Sequence, residues 1–181
     1  NIRTKEFEWT SNFNIAFNRN KIVELNGDEP SLLTRVTTWN SNFNNSIPYI
    51  AIPGREVALF YGYIFDGLYQ LNDFNALPNG TYELKADVPN NGNDRSLIKP
   101  GHIRYKDLNG DGIVDANDQT IIGNPTPAHI GGFSNNLRYS NFDLSIFLQW
   151  SYGNDVLNAN RIIFEGAEGR QYLNMYKTFE N

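Results

Sequence analysis

The chain contains no cysteine, one methionine, two histidines and only 15 lysines and arginines in 181 residues. Without cysteine there is no disulfide framework and no thiolate-ligated zinc. The 15 basic residues stand against 20 acidic ones, a net charge of −5 with a pI near 5.0. That balance excludes a nucleic-acid-binding surface, which needs clustered Lys and Arg facing phosphates. No apolar run approaches the ~18 residues of a membrane-spanning helix, and the mean hydropathy is −0.50. The opening Asn1-Ile2-Arg3-Thr4-Lys5 has no apolar stretch behind it, so no signal peptide is expected. What is abundant is aromatic and amide. Aromatics make up 14%, with 12 Phe and 10 Tyr, and 27 residues are Asn. Few strong helix formers beside many β-formers and turn formers predict strands joined by long polar loops. The same aromatics argue against disorder.

Residues 7–17 alternate. Phe7, Trp9, Ser11, Phe13, Ile15 and Phe17 fall on one parity, and Glu8, Thr10, Asn12, Asn14 and Ala16 on the other. Such a period of two over eleven residues predicts a strand with one apolar and one polar face. A globular strand usually has five or six residues, whereas a tilted strand crossing a bilayer has about 9–11. The pattern returns over 129–139, with Phe133, Leu137 and Tyr139 on one face. It returns again over 142–152, with Phe142, Leu144, Ile146, Leu148, Trp150 and Tyr152 aligned and Phe147 as the misfit. Only Ser140-Asn141 separates these two segments, which predicts a tight antiparallel hairpin. Aromatics at both ends of an aliphatic band suit two membrane interfaces. A soluble β-sandwich also alternates, so strand length and aromatic ends carry the preference for a transmembrane β-barrel. On that reading the short turn at 140–141 is periplasmic, and 18–54, 66–128 and 153–181 are extracellular loops. Residues 55–65 are apolar on both parities and read as an extracellular strand, or strand extension, packed under loops.

One motif carries chemistry. Residues 107–118 match the twelve-residue calcium loop, with Asp107 at position 1, Asn109 at 3, Asp111 at 5, Gly112 at 6, the Ile113 carbonyl at 7, Asp115 at 9 and Asp118 at 12. Calcium takes six to eight hard oxygens, and this spacing wraps them round one point. Asp at position 12 replaces the longer Glu usual for a bidentate last ligand. The alternative is an acidic turn without metal. Pro100 and Gly101 before the loop, and Gly123, Pro125 and Pro127 after it, exclude flanking helices, so the expected role of Ca2+ is structural, pinning a long exposed loop. No catalytic constellation emerges. His102 and His129 lack a metalloprotease spacing, there is no nucleophile elbow or Walker loop, and no carboxylate pair stands out. An enzyme is not expected.

Several segments resemble the SusC/RagA-type TonB-linked (TonB-dependent) outer-membrane transporters of Bacteroidota. They are Phe60 to Gly67, Gly101 to Pro127, Gly131 to Tyr139, Phe142 to Ser145, Tyr152 to Asp155 and Tyr172 to Asn181. The likeness is looser over 1–25 and absent over 26–54. The resemblance implies that residues 1–181 are a fragment of a single barrel domain. They would be late strands of a 22-stranded barrel, with membrane strands at about 7–17, 129–139 and 142–152 and the plug domain absent. It implies a location in the cell outer membrane, import of oligosaccharides or peptides, a SusD-like surface lipoprotein as partner, contact with outer-membrane lipid, and drive from the TonB system through the part missing here. Trp39, Tyr49, Tyr61 and Tyr63 are candidate stacking platforms for sugar rings, although Tyr61 and Tyr63 also suit plain packing. The competing function is a secreted, calcium-stabilised β-sandwich that binds glycans, which would hide Phe133, Leu137, Leu144, Ile146 and Leu148 in a core.

Overall fold

The computed structural model describes residues 1–35 and 47–158. Among them the fold is all-β, with three single 3-10 turns at Leu71–Asp73, Arg95–Leu97 and Ala116–Asp118. The strands in chain order are β1 (Ile2–Arg3), β2 (Phe7–Ala16), β3 (Leu32–Thr34), β4 (Tyr49–Ala51), β5 (Leu59–Gly62), β6 (Phe65–Leu68), β7 (Phe74–Ala76), β8 (Tyr82–Leu84), β9 (Ile103–Tyr105), β10 (Thr120–Gly123), β11 (His129–Tyr139) and β12 (Phe142–Tyr152). No helix among the described residues is long and apolar enough to cross a membrane, which says nothing of crossing by strands. The chain divides into two compact units, Asn1–Asn18 with Pro125–Asn181, and Arg19–Asn124.

The first unit is an antiparallel sheet in the order β1-β2-β11-β12. β2 pairs with β11 from Phe7↔Tyr139 to Ala16↔Ile130, and β11 with β12 from His129↔Tyr152 to Tyr139↔Phe142, without a register break. β2 and β11 are therefore direct neighbours, and everything between them is one excursion of the chain. Directly paired residues share a face, so the register stacks Phe13, Phe133 and Leu148, and likewise Trp9, Leu137 and Leu144, on one side. Asn12, Ser134 and Phe147 stack on the other. Phe147 thus stands as an apolar residue on the amide-rich face. The apolar face is open: Phe13 is 63% exposed, Leu144 54% and Phe142 78%. Within the described residues the sheet has two free edges and does not close.

Both tight connections lie at one end. Ser140 adopts a left-handed φ of 52° in the two-residue turn, as hairpin turns of that length require, and its N–H donates to Glu6 O at 2.9 Å. The sheet's ionised side chains gather there, in the pairs Arg138–Asp143 at 3.7 Å and Arg3–Glu8 at 4.0 Å. From Leu144 to Tyr152 β12 carries no charge. At the far end the Trp150 indole N–H donates to His129 Nδ1 at 3.1 Å, and the His129 ring stacks on Tyr152 at 5.1 Å. Gly131 makes this possible, because a Cβ there would lie 2.2 Å from the Trp150 ring.

The second unit carries the core. Tyr69, Phe74, Leu84 and Ile98 are buried together, with Val88 packed against them. They come from short strands and turns, each too small to bury a face alone. A four-stranded sheet, β10-β5-β4-β3, lies beside the two-stranded pairs β6–β9 and β7–β8. Leu59 and Phe60, adjacent on β5 and so on opposite faces, are both buried. Residues 55–65 are not one strand. Ala58 sits at a φ of 58°, which breaks extension before β5, and the pairing lapses at Tyr63-Ile64 before β6 begins. The Tyr69 hydroxyl donates to Pro89 O at 2.7 Å. Burial pushes its phenol up to about 12, against the opposing pull of Arg104 and Arg95.

Candidate functional site

The acidic loop folds on its own backbone. Asp107 accepts N–H bonds from Gly110 at 2.6 Å and from Gly112 at 2.7 Å. Gly110 and Gly112 hold φ values of 76° and 82°, open to glycine without strain, and these aim their amides inward. Short Asx turns follow, from Asp111 N–H to Asn109 Oδ1 at 3.0 Å, Ile113 N–H to Asp111 Oδ1 at 2.8 Å and Asn117 N–H to Asp115 Oδ1 at 2.7 Å. Asp118 is fully buried and closes the loop, accepting from Leu108 N–H at 2.7 Å and Asp115 N–H at 2.8 Å. The Asp115 amide holds its carboxyl below the ordinary value of 3.8, against the opposing effect of burial, with help from the Leu108 and Asn109 amides.

The donor types are those of a hard-cation site, namely four carboxylates, one side-chain amide and one backbone carbonyl. Their arrangement is that of a loop closed on its own amides, since each of the four carboxylates accepts at least one N–H. Among the described residues no three Asp, Glu or His side chains converge closely enough to hold a metal.

A contact that sequence reading did not reveal ties this loop to the core. Asn90 Oδ1 accepts from Val114 N–H at 2.9 Å and Gly92 N–H at 3.2 Å, and Asn90 N–H donates to Gly112 O at 3.3 Å. Pro89, whose carbonyl takes the Tyr69 hydroxyl, is the preceding residue. Core, Tyr69, Asn90 and acidic loop thus form one connected path. The only signal in the sequence is the Asn90-Asn91-Gly92 turn, which names no partner.

The described aromatic candidates, Tyr49, Tyr61 and Tyr63, do not share one face. Tyr49 lies opposite Phe60 with ring centroids 5.7 Å apart, so Tyr61, the next residue on β5, projects from the other face. Tyr63 lies beyond the end of β5 and packs on Tyr105 at 5.2 Å. All three are half-buried. Trp39 falls outside the described residues.

Comparison with known proteins sets this geometry in a family. TonB-dependent receptor P3 of Formosa agariphila is 36% identical over 159 residues, which cover 87% of this chain and 14% of that protein. TonB-dependent receptor P39 of the same organism is 31% identical over an alignment of 192 residues, 94% of this chain and 17% of its own length. No family profile matches the chain. The chain belongs to the TonB-dependent receptors. Within them it is SusC-like: the TonB-dependent receptor SusC of Bacteroides thetaiotaomicron is 28% identical over 156 residues, 86% of this chain. The chain spans about one seventh to one sixth of the length of these relatives.

Proposed function

We propose that this chain supplies late strands and a long extracellular excursion to the β-barrel of an outer-membrane transporter. That transporter, a 22-stranded barrel when complete, imports oligosaccharides or peptides with a SusD-like surface lipoprotein, and the TonB system drives it through parts of the receptor outside this chain. The observation that carries the reading is the register of β2, β11 and β12, which over ten to eleven residues holds Trp9, Phe13, Phe133, Leu137, Leu144 and Leu148 on one face, with Phe147 the misfit on the other. Strands of that length are about 36 Å long, and tilted by ~45° they rise about 25 Å, the height of the apolar band of an outer-membrane barrel. Charges confined to the turn end, and aromatics at both ends, fit the two interfaces. The open apolar face favours lipid over the core of a secreted sandwich.

The test is the native polypeptide itself. It should fractionate with outer membranes, need detergent, and have a mass several times the 20.6 kDa of this chain. Cells lacking it should fail to take up a labelled oligosaccharide or peptide that parent cells import. A free, water-soluble 20.6 kDa product would overturn the reading.

The loop at 107–118 takes Ca2+ in a structural role on this reading. Asp107, Asn109, Asp111, Asp115 and Asp118, with the Ile113 carbonyl, would hold it, and the ion would offset the mutual repulsion of four carboxylates in one loop. Chelation or Asp111→Ala should then open 100–125 to protease while sparing the 140–141 hairpin. Unchanged protection would refute the metal.

A further inference from the structure

Beside the core of the second unit lies a cleft of about 760 Å³, walled by β8, the turn Arg95–Leu97 and the segment Lys99-Pro100. That is the size of a small-molecule site, for which ~300–1,000 Å³ is typical. Its apolar part is Leu77, Tyr82 and Leu84. Tyr82 is 45% exposed, yet its ring is held edge-on against Phe74 of the core at 6.4 Å, so it offers a fixed aromatic surface. Its polar part is cationic. Arg95 is half-buried and donates one guanidinium N–H to the Lys85 carbonyl, which orients the remaining donors. Among the described residues neither Arg95 nor Lys99 has a carboxylate within ion-pair distance. Glu83 also borders the cleft, the one carboxylate among its lining residues, and it makes no ion pair with Arg95 or Lys99. Two unneutralised cations on one wall are notable in a chain of net charge −5.

We propose that this cleft binds a carboxylate-bearing saccharide, with the sugar ring against Tyr82 and the carboxylate between Arg95 and Lys99. A planar guanidinium suits a carboxylate through two parallel hydrogen bonds, and an ammonium adds a point charge. The proposal rests on the saccharide-import reading and narrows it to acidic substrates.

The experiment uses the full-length receptor in detergent and a matched pair of probes, cellobiouronic acid and cellobiose, which differ by one carboxylate. Calorimetry should show the acid binding more tightly, with the preference shrinking at high salt. Lys99→Gln should weaken binding of the acid by up to about fivefold, the upper end for an exposed ion pair, and Lys99→Arg should restore it. Arg95→Gln should weaken it further, but it also removes the contact to Lys85, so Lys99 decides. Equal affinity for both probes, no binding of the acid, or an unchanged affinity in Lys99→Gln would overturn the proposal. Failure here leaves outer-membrane fractionation and oligosaccharide uptake untouched, so the two readings fail separately.

Discussion

The two units of this chain solve opposite problems. The sheet of β1, β2, β11 and β12 satisfies its backbone over long ladders and leaves its apolar side chains open, Leu144 at 54% and Phe13 at 63%. The unit of 19–124 has strands of only three or four residues, yet it buries Tyr69 and Ile98 to 1%. On the proposed barrel reading, a sheet that pairs its amides but not its apolar face is built for surroundings that are themselves apolar. A set of loops that gathers its own small core is built for water. The difference teaches where each part takes its stability: from the backbone ladder and the medium in one, from side-chain burial in the other.

The sharpest way to break this contrast is Phe74→Ala. Phe74 touches Tyr69 edge-on at 6.1 Å inside the cluster of Tyr69, Phe74, Leu84 and Ile98. Removing a buried Phe costs about 3–5 kcal/mol, most of what so small a core can supply. In the full-length receptor, hydrogen exchange should show protection lost across 64–105 and kept along β2, β11 and β12. Equal loss in the sheet would mean that the units fold as one.

Next in size is a charge placed on either face of β12. Ile146 shares the apolar face with Asn135 and Leu144, and Ser145 lies on the opposite side, its hydroxyl 2.8 Å from Asn136 Oδ1. An arginine facing lipid near mid-membrane costs about 2–4 kcal/mol, and one facing the lumen little. Ile146→Arg should therefore weaken folding into vesicles by that amount, read from denaturant titration, while Ser145→Arg stays within about 1 kcal/mol. Matching effects would sink the assignment of faces.

High pH separates the units again. The Tyr69 phenol is raised in the fold, so the stability of its neutral form is fully present below about 10 and is lost as pH rises through about 12. Ionisation also removes the hydrogen bond to Pro89. Protease sensitivity of 64–105 should climb over that window in the parent receptor, and the step should vanish in Tyr69→Phe.

The sheet was legible in the sequence because a period of two is visible only when a strand is long. Alternation over 7–17, 129–139 and 142–152 meets β2, β11 and β12 at Phe7–Ala16, His129–Tyr139 and Phe142–Tyr152. The short strands gave no such signal, since three residues cannot display a period. The core quartet was invisible for the same reason: its members come from four separate segments, and nothing local marks Ile98 or Leu84 as buried. Residues 55–65 read as one strand covered on both faces, but only Leu59 and Phe60 are buried, Val57 and Phe65 stand 47% and 63% exposed, and no sequence rule flags Ala58 for the left-handed φ that breaks the segment. The acidic loop was legible as a spacing of donor types. Which groups those donors meet was not, since the amides that fill them depend on backbone turns, and Asn90 reaches Val114 across 24 residues.

Asn90 gives the smallest expected effect and the most local one. Its side-chain oxygen holds two amides, and its own N–H holds a third strand of contact to Gly112 O. Asn90→Ala keeps the backbone bond but leaves the Val114 amide, beside a side chain only 2% exposed, without its acceptor. Such a loss costs about 1–2 kcal/mol, too little to melt the Tyr69 core and enough to free the loop it restrains. Exchange should quicken at Gly92, Val114 and the 107–118 amides, while Leu84 and Ile98 hold their protection. Were the loop unmoved, its own Asp107 and Asp118 bonds would be sufficient to fix it. Were the core to open with it, Asn90 would be part of the core's cooperative unit rather than a latch between two.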